Sequence, residues 1–137
     1  MATIKSYTSL QQSRKLAEIL PLESADMHYN NASIKGINYV DEYRAELMDY
    51  NTAQKVLSKY LVNPMFEIIP CWSLASLLAV LPDELEDNHF LTLDKEGKEY
   101  CCCYEDGNGN SFKHKFADNP VDACVAMIEK LNELNLL

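Results

Sequence analysis

The sequence predicts an α+β fold: three main helices packed on a small, mainly antiparallel β-sheet, with a β-meander in the C-terminal half. Three observations carry that expectation. Apolar residues recur at helical spacing in three stretches, each opened by a capping residue. Between the second and third stretch, runs of strand-forming residues alternate with glycine-bearing turns. The length of 137 residues suits one domain, spanning 1–137, that buries most of its apolar surface without internal repeats.

The first helix is expected over TSLQQSRKLAEIL, residues 8 to 20. Thr8 or Ser9 caps it, with Gln11 or Gln12 reaching back to the cap. Leu10, Leu16, Ala17, Ile19 and Leu20 form its buried side, and Pro21 cannot continue its hydrogen-bond ladder. ADMHY (25–29) and MFEII (65–69) read as short strands, the second ended by Pro70. Residues 30–64 read as a helical and loop insertion: NNASIKGIN as loop, EYRAELMDYNTAQKVLSKYL as helix with a break near Asn51.

The second helix is SLASLLAVLP, with Ser73 as its cap. Leu74, Leu77, Leu78 and Leu81 recur at i, i+3, i+4 and i+7, and Ala75, Ala79 and Val80 make the other sides apolar, so the helix is expected to be covered nearly all round. LASLL also matches an LxxLL docking pattern, but a core helix has the same spacing. FLTL (90–93), EYCCCYE (99–105) and NSFKHKF (110–116) form the meander, with Phe112, His114 and Phe116 on one face of the last strand and Lys113 and Lys115 on the other. The third helix, DNPVDACVAMIEKLNELNLL, is capped by Asn119, has Pro120 at its first position and Asp122 near the positive end of its dipole. Val121, Cys124, Val125, Ile128 and Leu131 make its core stripe.

Charge and composition exclude several functions. A net charge of −9 opposes direct nucleic-acid binding, which needs basic groups to displace counterions, and Lys113 with Lys115 is too small a patch. No stretch reaches the roughly 20 apolar residues of a membrane span, and the opening MATIKSYTSLQQ lacks the apolar run of a signal peptide. Five cysteines, three of them adjacent, make a poor disulfide framework and fit a reducing cytoplasm. The acidic run DELED reads as a solvated loop, or as a surface that attracts a basic partner.

The segment KEYCCCYEDGNGNSFKHKF raises the question of a metal. In a strand, Cys101 and Cys103 share one face and Cys102 the other, with about 6.6 Å between the first two along the chain. Tetrahedral zinc, with bonds of about 2.3 Å, wants its sulfurs closer than that. DGNGNS matches the first half of a calcium loop, but Ser111 stands where the bend requires glycine and Ala117 where a bidentate glutamate belongs. The stretch reads as a hairpin. No metal and no cofactor are assigned, although Cys101, Cys103 and His114 are the residues to watch if a metal were found.

No nucleophile elbow, phosphate loop or dinucleotide fingerprint occurs, so no catalytic residue is assigned. The single candidate is Cys71, just ahead of a helix whose dipole can lower a thiol pKa, with a strand histidine as base. Tyr39, Tyr43, Tyr50 and Tyr60 cluster in the middle segment, and amphipathic rings of this kind are favoured in interfaces. They are the candidate binding residues.

PCWSLASLLAVLP paired with FADNPVDACVAMIEKL, together with the opening YTSLQQSRKLAEILPLESADMHY, resembles a group of small uncharacterised proteins of gut bacteria, many encoded by prophages or conjugative elements. The likeness covers about the first 29 residues and most of 70–137. It implies a small α+β protein from mobile DNA and carries over no activity. The function expected is therefore that of a cytoplasmic protein-interaction accessory of a phage or mobile element, whose partner is another protein. The alternatives are a small cysteine-dependent enzyme using Cys71, and an acidic nucleic-acid mimic.

Overall fold

The structure, a computed structural model, describes residues 5–33, 36, 38–86 and 88–137, and only the backbone of residues 112 and 113. Among the described residues it is an α+β protein with four helices and two antiparallel sheets. The backbone groups into two compact units, Thr8–Ser76 and Met1–Tyr7 with Leu77–Leu137.

The first unit is built on a three-stranded sheet of order β2-β1-β3, from β1 (Met27–Ala32), β2 (Tyr39–Glu46) and β3 (Ile68–Cys71). Register pairs Tyr29 with Ala45 on one side and with Ile69 on the other. One face carries Met27, Tyr29, Ile69 and Cys71 as a core cluster, against which Leu10, Tyr43 and Ala45 pack. Leu10 comes from α1 (Leu10–Leu16), whose capping box is complete: the Gln12 amide donates to Ser9 Oγ at 3.2 Å and the Ser9 amide to Gln12 Oε1 at 3.0 Å. The helix ends four residues earlier than its leucines suggest, because the Glu18 and Ile19 amides bond three residues back, to the Lys15 and Leu16 carbonyls, in a tighter turn. The other face of the sheet carries His28 and Asn30, with Met48, just ahead of α2 (Tyr50–Val56), over it.

The structure departs from expectation in three segments. Residues 39–46 form a strand where loop and helix are expected, since pairing with β1 holds them extended: Arg44, Ala45 and Glu46 lie opposite Asn30, Tyr29 and His28, and Tyr39 opposite Ala32 beyond an irregular stretch. Pro70 lies inside β3 instead of ending a strand at its edge; β3 is an outer strand, where a missing N–H costs no ladder bond. Of NNASIKGIN, expected as loop, Asn30, Asn31 and Ala32 instead complete β1, held by pairing with β2 and β3, and Ile34, Lys35 and Ile37 lie outside the described residues.

The chain passes between the units within α3 (Leu74–Val80). Ser73 caps that helix, accepting from the Ser76 amide at 3.3 Å, and is itself held by Asp26, which accepts from its amide at 2.9 Å and from its hydroxyl. The helix is not covered all round: Leu77 and Leu81 are buried, Leu74 and Leu78 half-buried, and Ala75 and Ala79 exposed.

The second unit holds a four-stranded sheet in sequence order: β4 (Glu84–Leu85), β5 (His89–Glu96), β6 (Glu99–Glu105) and β7 (Ser111–Ala117). Gly97 and Gly109 take positive φ in the two hairpin turns, a conformation that favours glycine. The helix α4 (Pro120–Glu133) packs on β6 and β7, with Val121, Cys124, Val125, Met127, Ile128 and Leu131 buried. Each such side chain contributes about 1.5–3 kcal/mol when fully buried. Asn119 caps α4 by accepting from the Asp122 amide at 2.8 Å, and Asp122 also pairs with Lys5 at 2.7 Å. The placing of the Phe112 and Lys113 side chains lies outside the described residues, as does Asp87 of the acidic run.

Candidate functional site

Between Tyr39, paired with Ala32, and Arg44, paired with Asn30, β2 is irregular, and this stretch brings Tyr39, Asp41 and Tyr43 together. There they line a pocket of about 180 Å³ with Asn31, Val40, Pro64, Met65 and Glu67. Its wall is fixed by two polar arrangements. The Asn31 side chain donates to the Met65 carbonyl at 3.0 Å and accepts from the Glu67 amide at 2.8 Å, tying the approach to β3 onto β1. The Tyr43 hydroxyl donates to Glu67 Oε1 at 2.6 Å while Arg14 of α1 donates to Glu67 Oε2 at 3.2 Å. The Arg14 guanidinium also lies 5.7 Å from the centre of the Tyr43 ring.

The electrostatics follow from this triad. Hydrogen bonds from Tyr43 and Arg14 hold the Glu67 carboxyl below its ordinary range, while burial and then the neighbouring Glu67 push the Tyr43 phenol up. The hydrogen bond to Glu67 raises Arg14. Glu67 is thus fully committed. Asp41 differs: it is exposed, and no hydrogen bond or ion pair engages its carboxylate among the described residues. Val40 and Met65, at 37% and 57% exposed, leave apolar surface open at the rim.

Of the four candidate tyrosines, the structure brings two together. Tyr39 and Tyr43 line the pocket; Tyr50 opens α2 and accepts from Gln54 Nε2 at 2.7 Å, and Tyr60 stacks on Phe66 with ring centres 5.1 Å apart. Asp41, Met65 and Glu67 are not among the residues the sequence singles out: Asp41 stands just ahead of the stretch read as helix, and Met65 and Glu67 lie in MFEII, read as a strand.

Cys71 is the last residue of β3 and fully buried. Its sulfur lies 3.6 Å from Thr8 Oγ1, and the thiol donates to the Thr8 carbonyl at 3.7 Å. Burial pushes its pKa up, with Asp26 adding to the rise against the lowering effect of Thr8 and Ser13. Register pairs Cys71 with Met27, so the next residue, His28, points to the opposite face of the sheet. Both His28 nitrogens are engaged there, Nδ1 with the Met48 carbonyl at 2.7 Å and Nε2 with Asn30 Nδ2 at 2.9 Å.

In the meander, Cys101, Cys102 and Cys103 are all buried. Hydrogen bonding to Cys124 of α4, followed by burial, pushes the Cys102 thiol up, and burial pushes Cys103 up to about 12. His114 is exposed and bonds the Ser111 hydroxyl. In the turn, Asp106 accepts from the Asn108 and Asn110 amides, each at 2.9 Å, and from Asn110 Nδ2 at 3.1 Å. The carboxylate that would lead a calcium loop is spent on its own hairpin. Among the described residues no group of three or more His, Cys, Asp or Glu side chains is placed to hold a metal ion, and no helix is long and apolar enough to cross a membrane.

No family model, curated protein or solved structure matches the chain.

Proposed function

We propose that this chain is a protein-interaction module whose contact surface centres on the pocket of Tyr39 and Tyr43. The observation that carries this is the pocket's size and rim. At about 180 Å³ it falls below the ~300–1,000 Å³ typical of small-molecule sites. Its tyrosines, Pro64 and Met65 are of the kinds that anchor protein contacts. Apolar exposure points the same way: between residues 47 and 65, Leu47, Val56, Leu61, Val62 and Met65 are all exposed. The resemblance to gut-bacterial proteins supplies the setting, a cytoplasmic accessory of a phage or conjugative element that acts on another protein and not directly on nucleic acid.

The test is affinity capture with the tagged full-length chain in a gut-bacterial host. One partner should be recovered reproducibly, lost with the Tyr39→Ala/Tyr43→Ala variant and retained with Tyr50→Ala and Tyr60→Ala. Equal loss from all four positions, or retention by the double variant, would remove the pocket from the interface.

A further inference from the structure

The pocket is sized and charged for one kind of occupant. We propose that it takes a single cationic side chain, lysine or arginine, presented by an extended segment of the partner protein; this rests on the interaction reading above. A volume of about 180 Å³ admits one long side chain. The walls suit an aliphatic stem with a charged head: Pro64, Met65 and the two tyrosines offer apolar surface on which such stems lie while the head stays polar. Tyrosine rings add attraction for a cation near their faces.

Charge selects the head group. Two carboxylates border the pocket, but Glu67 is already shared by Tyr43 and Arg14. Among the described residues Asp41 is the open one, and an ammonium or guanidinium there gains a charge-assisted hydrogen bond that a neutral side chain cannot make. Arg14 sets the polarity, because its guanidinium holds the Glu67 end and repels a second cation. The incoming head is left the Asp41 end. A net charge of −9 over the chain speeds encounter with a basic segment.

Topology argues for an extended segment. β2 is the outer strand of the order β2-β1-β3, so one of its edges has no strand neighbour in that sheet. A peptide laid along that edge sends alternate side chains to the face of the sheet on which Tyr43 packs.

The experiment is an amide-shift NMR titration of the full chain with amidated pentapeptides Ser-Thr-X-Thr-Ser, where X is arginine, lysine, norleucine or glutamate. The arginine and lysine peptides should shift Tyr39, Asp41 and Tyr43 saturably in about the millimolar range. Norleucine and glutamate should bind at least about tenfold more weakly, and Asp41→Asn should weaken the arginine peptide by about tenfold. Glu42→Gln, next along β2 but not among the residues that line the pocket, should change that affinity by less than about twofold. Norleucine binding as tightly as arginine, or no saturable shift from any peptide at about 10 mM, would overturn the proposal. The norleucine result would leave an interaction pocket with an apolar anchor, so the cation and the interface fail separately.

Discussion

Replacing His28 with leucine isolates the polar lining on the second face of the three-stranded sheet. His28 is fully buried. The Met48 carbonyl can only accept, so Nδ1 carries the proton and Nε2 receives the Asn30 amide. Glu46 Oε2, at 3.6 Å from an unprotonated Nε2, adds no hydrogen bond. In His28→Leu the Asn30 amide, itself 1% exposed, loses its acceptor, at about 1–3 kcal/mol for a stranded buried group. Met48 is partly exposed, so its carbonyl can take water and forfeits only about 0.5–1.5 kcal/mol. The more apolar leucine returns about 1 kcal/mol through burial. The net expectation is a loss of about 1–3 kcal/mol. Trp72, the chain's one tryptophan, is buried in the same unit and reports its unfolding in urea. With a slope of about 1–3 kcal/mol per M, the midpoint should fall by about 1 M. His28→Gln, which keeps a donor and an acceptor, should recover part of it. A His28→Leu midpoint within about 0.2 M of the parent would refute the assignment of those two hydrogen bonds.

Other positions give sharp expectations. Asp26 is subject to burial, which raises its pKa, but the hydroxyl and amide of Ser73 lower it further, so its folded value lies below the ordinary one. Its stabilisation is therefore present above the unfolded pKa and fades as pH falls through the folded one. The stability gap between parent and Asp26→Asn should be flat near neutrality and close under acid; a gap that widens on acidification contradicts this. Leu77→Ala should cost about 2–5 kcal/mol, because Leu77 is fully buried, and half-buried Leu78→Ala clearly less; equal losses in thermal melts would put the buried stripe of α3 elsewhere. Cys71, whose thiol burial pushes up, should be alkylated near pH 7 more slowly than a free thiol peptide. A rate above that peptide's would restore the case for a cysteine-dependent enzyme.

How much of this was legible in the sequence depended on whether local signals agreed with tertiary ones. Capping was the strongest: Ser9 with Gln12, Ser73, and Asn119 with Pro120 each hold a helix start through side-chain bonds that need no distant partner. The meander was legible for the same reason, since its turns are built from Asp106, Gly109 and Gly97 within a few residues. β2 was not. Glu42, Ala45, Glu46, Leu47 and Met48 are good helix formers, and only pairing with β1 overrides that preference. The pocket inherits the difficulty, because Asp41 meets Tyr39 and Tyr43 through an irregular stretch of β2 that only its pairing with β1 defines, while Met65 and Glu67 arrive from about twenty residues on, tied in by Asn31. A helix would keep Tyr39 and Tyr43 on one side, at i and i+4, but would turn Asp41 away from them.

The cysteine run shows the opposite case, where an alarming motif has a plain structural use. β6 is an inner strand, flanked by β5 and β7, so its side chains meet neighbours on both faces. Cys102 turns toward α4 and Cys124, while Cys103 lies opposite Thr92 and Cys101 opposite Phe116. Phe90 and Phe116 stay about half exposed on that second face, at 51% and 48%, so the small thiols sit low between larger neighbours. A cysteine behaves there as a compact hydrophobe with a weak donor, and Cys103 uses that donor toward Glu105 Oε1 at 3.5 Å. Metal ligation and nucleophilic attack both need thiolate. On both faces of β6 the surroundings favour the thiol instead: Cys102 by its sulfur neighbour and burial, Cys103 and Cys101 by burial with acidic or sulfur neighbours behind it. The chemistry that the residue types suggest is opposed by the environment into which the strand folds them, whereas Asp41, in an unremarkable stretch of sequence, carries a carboxylate that no hydrogen bond or ion pair engages among the described residues.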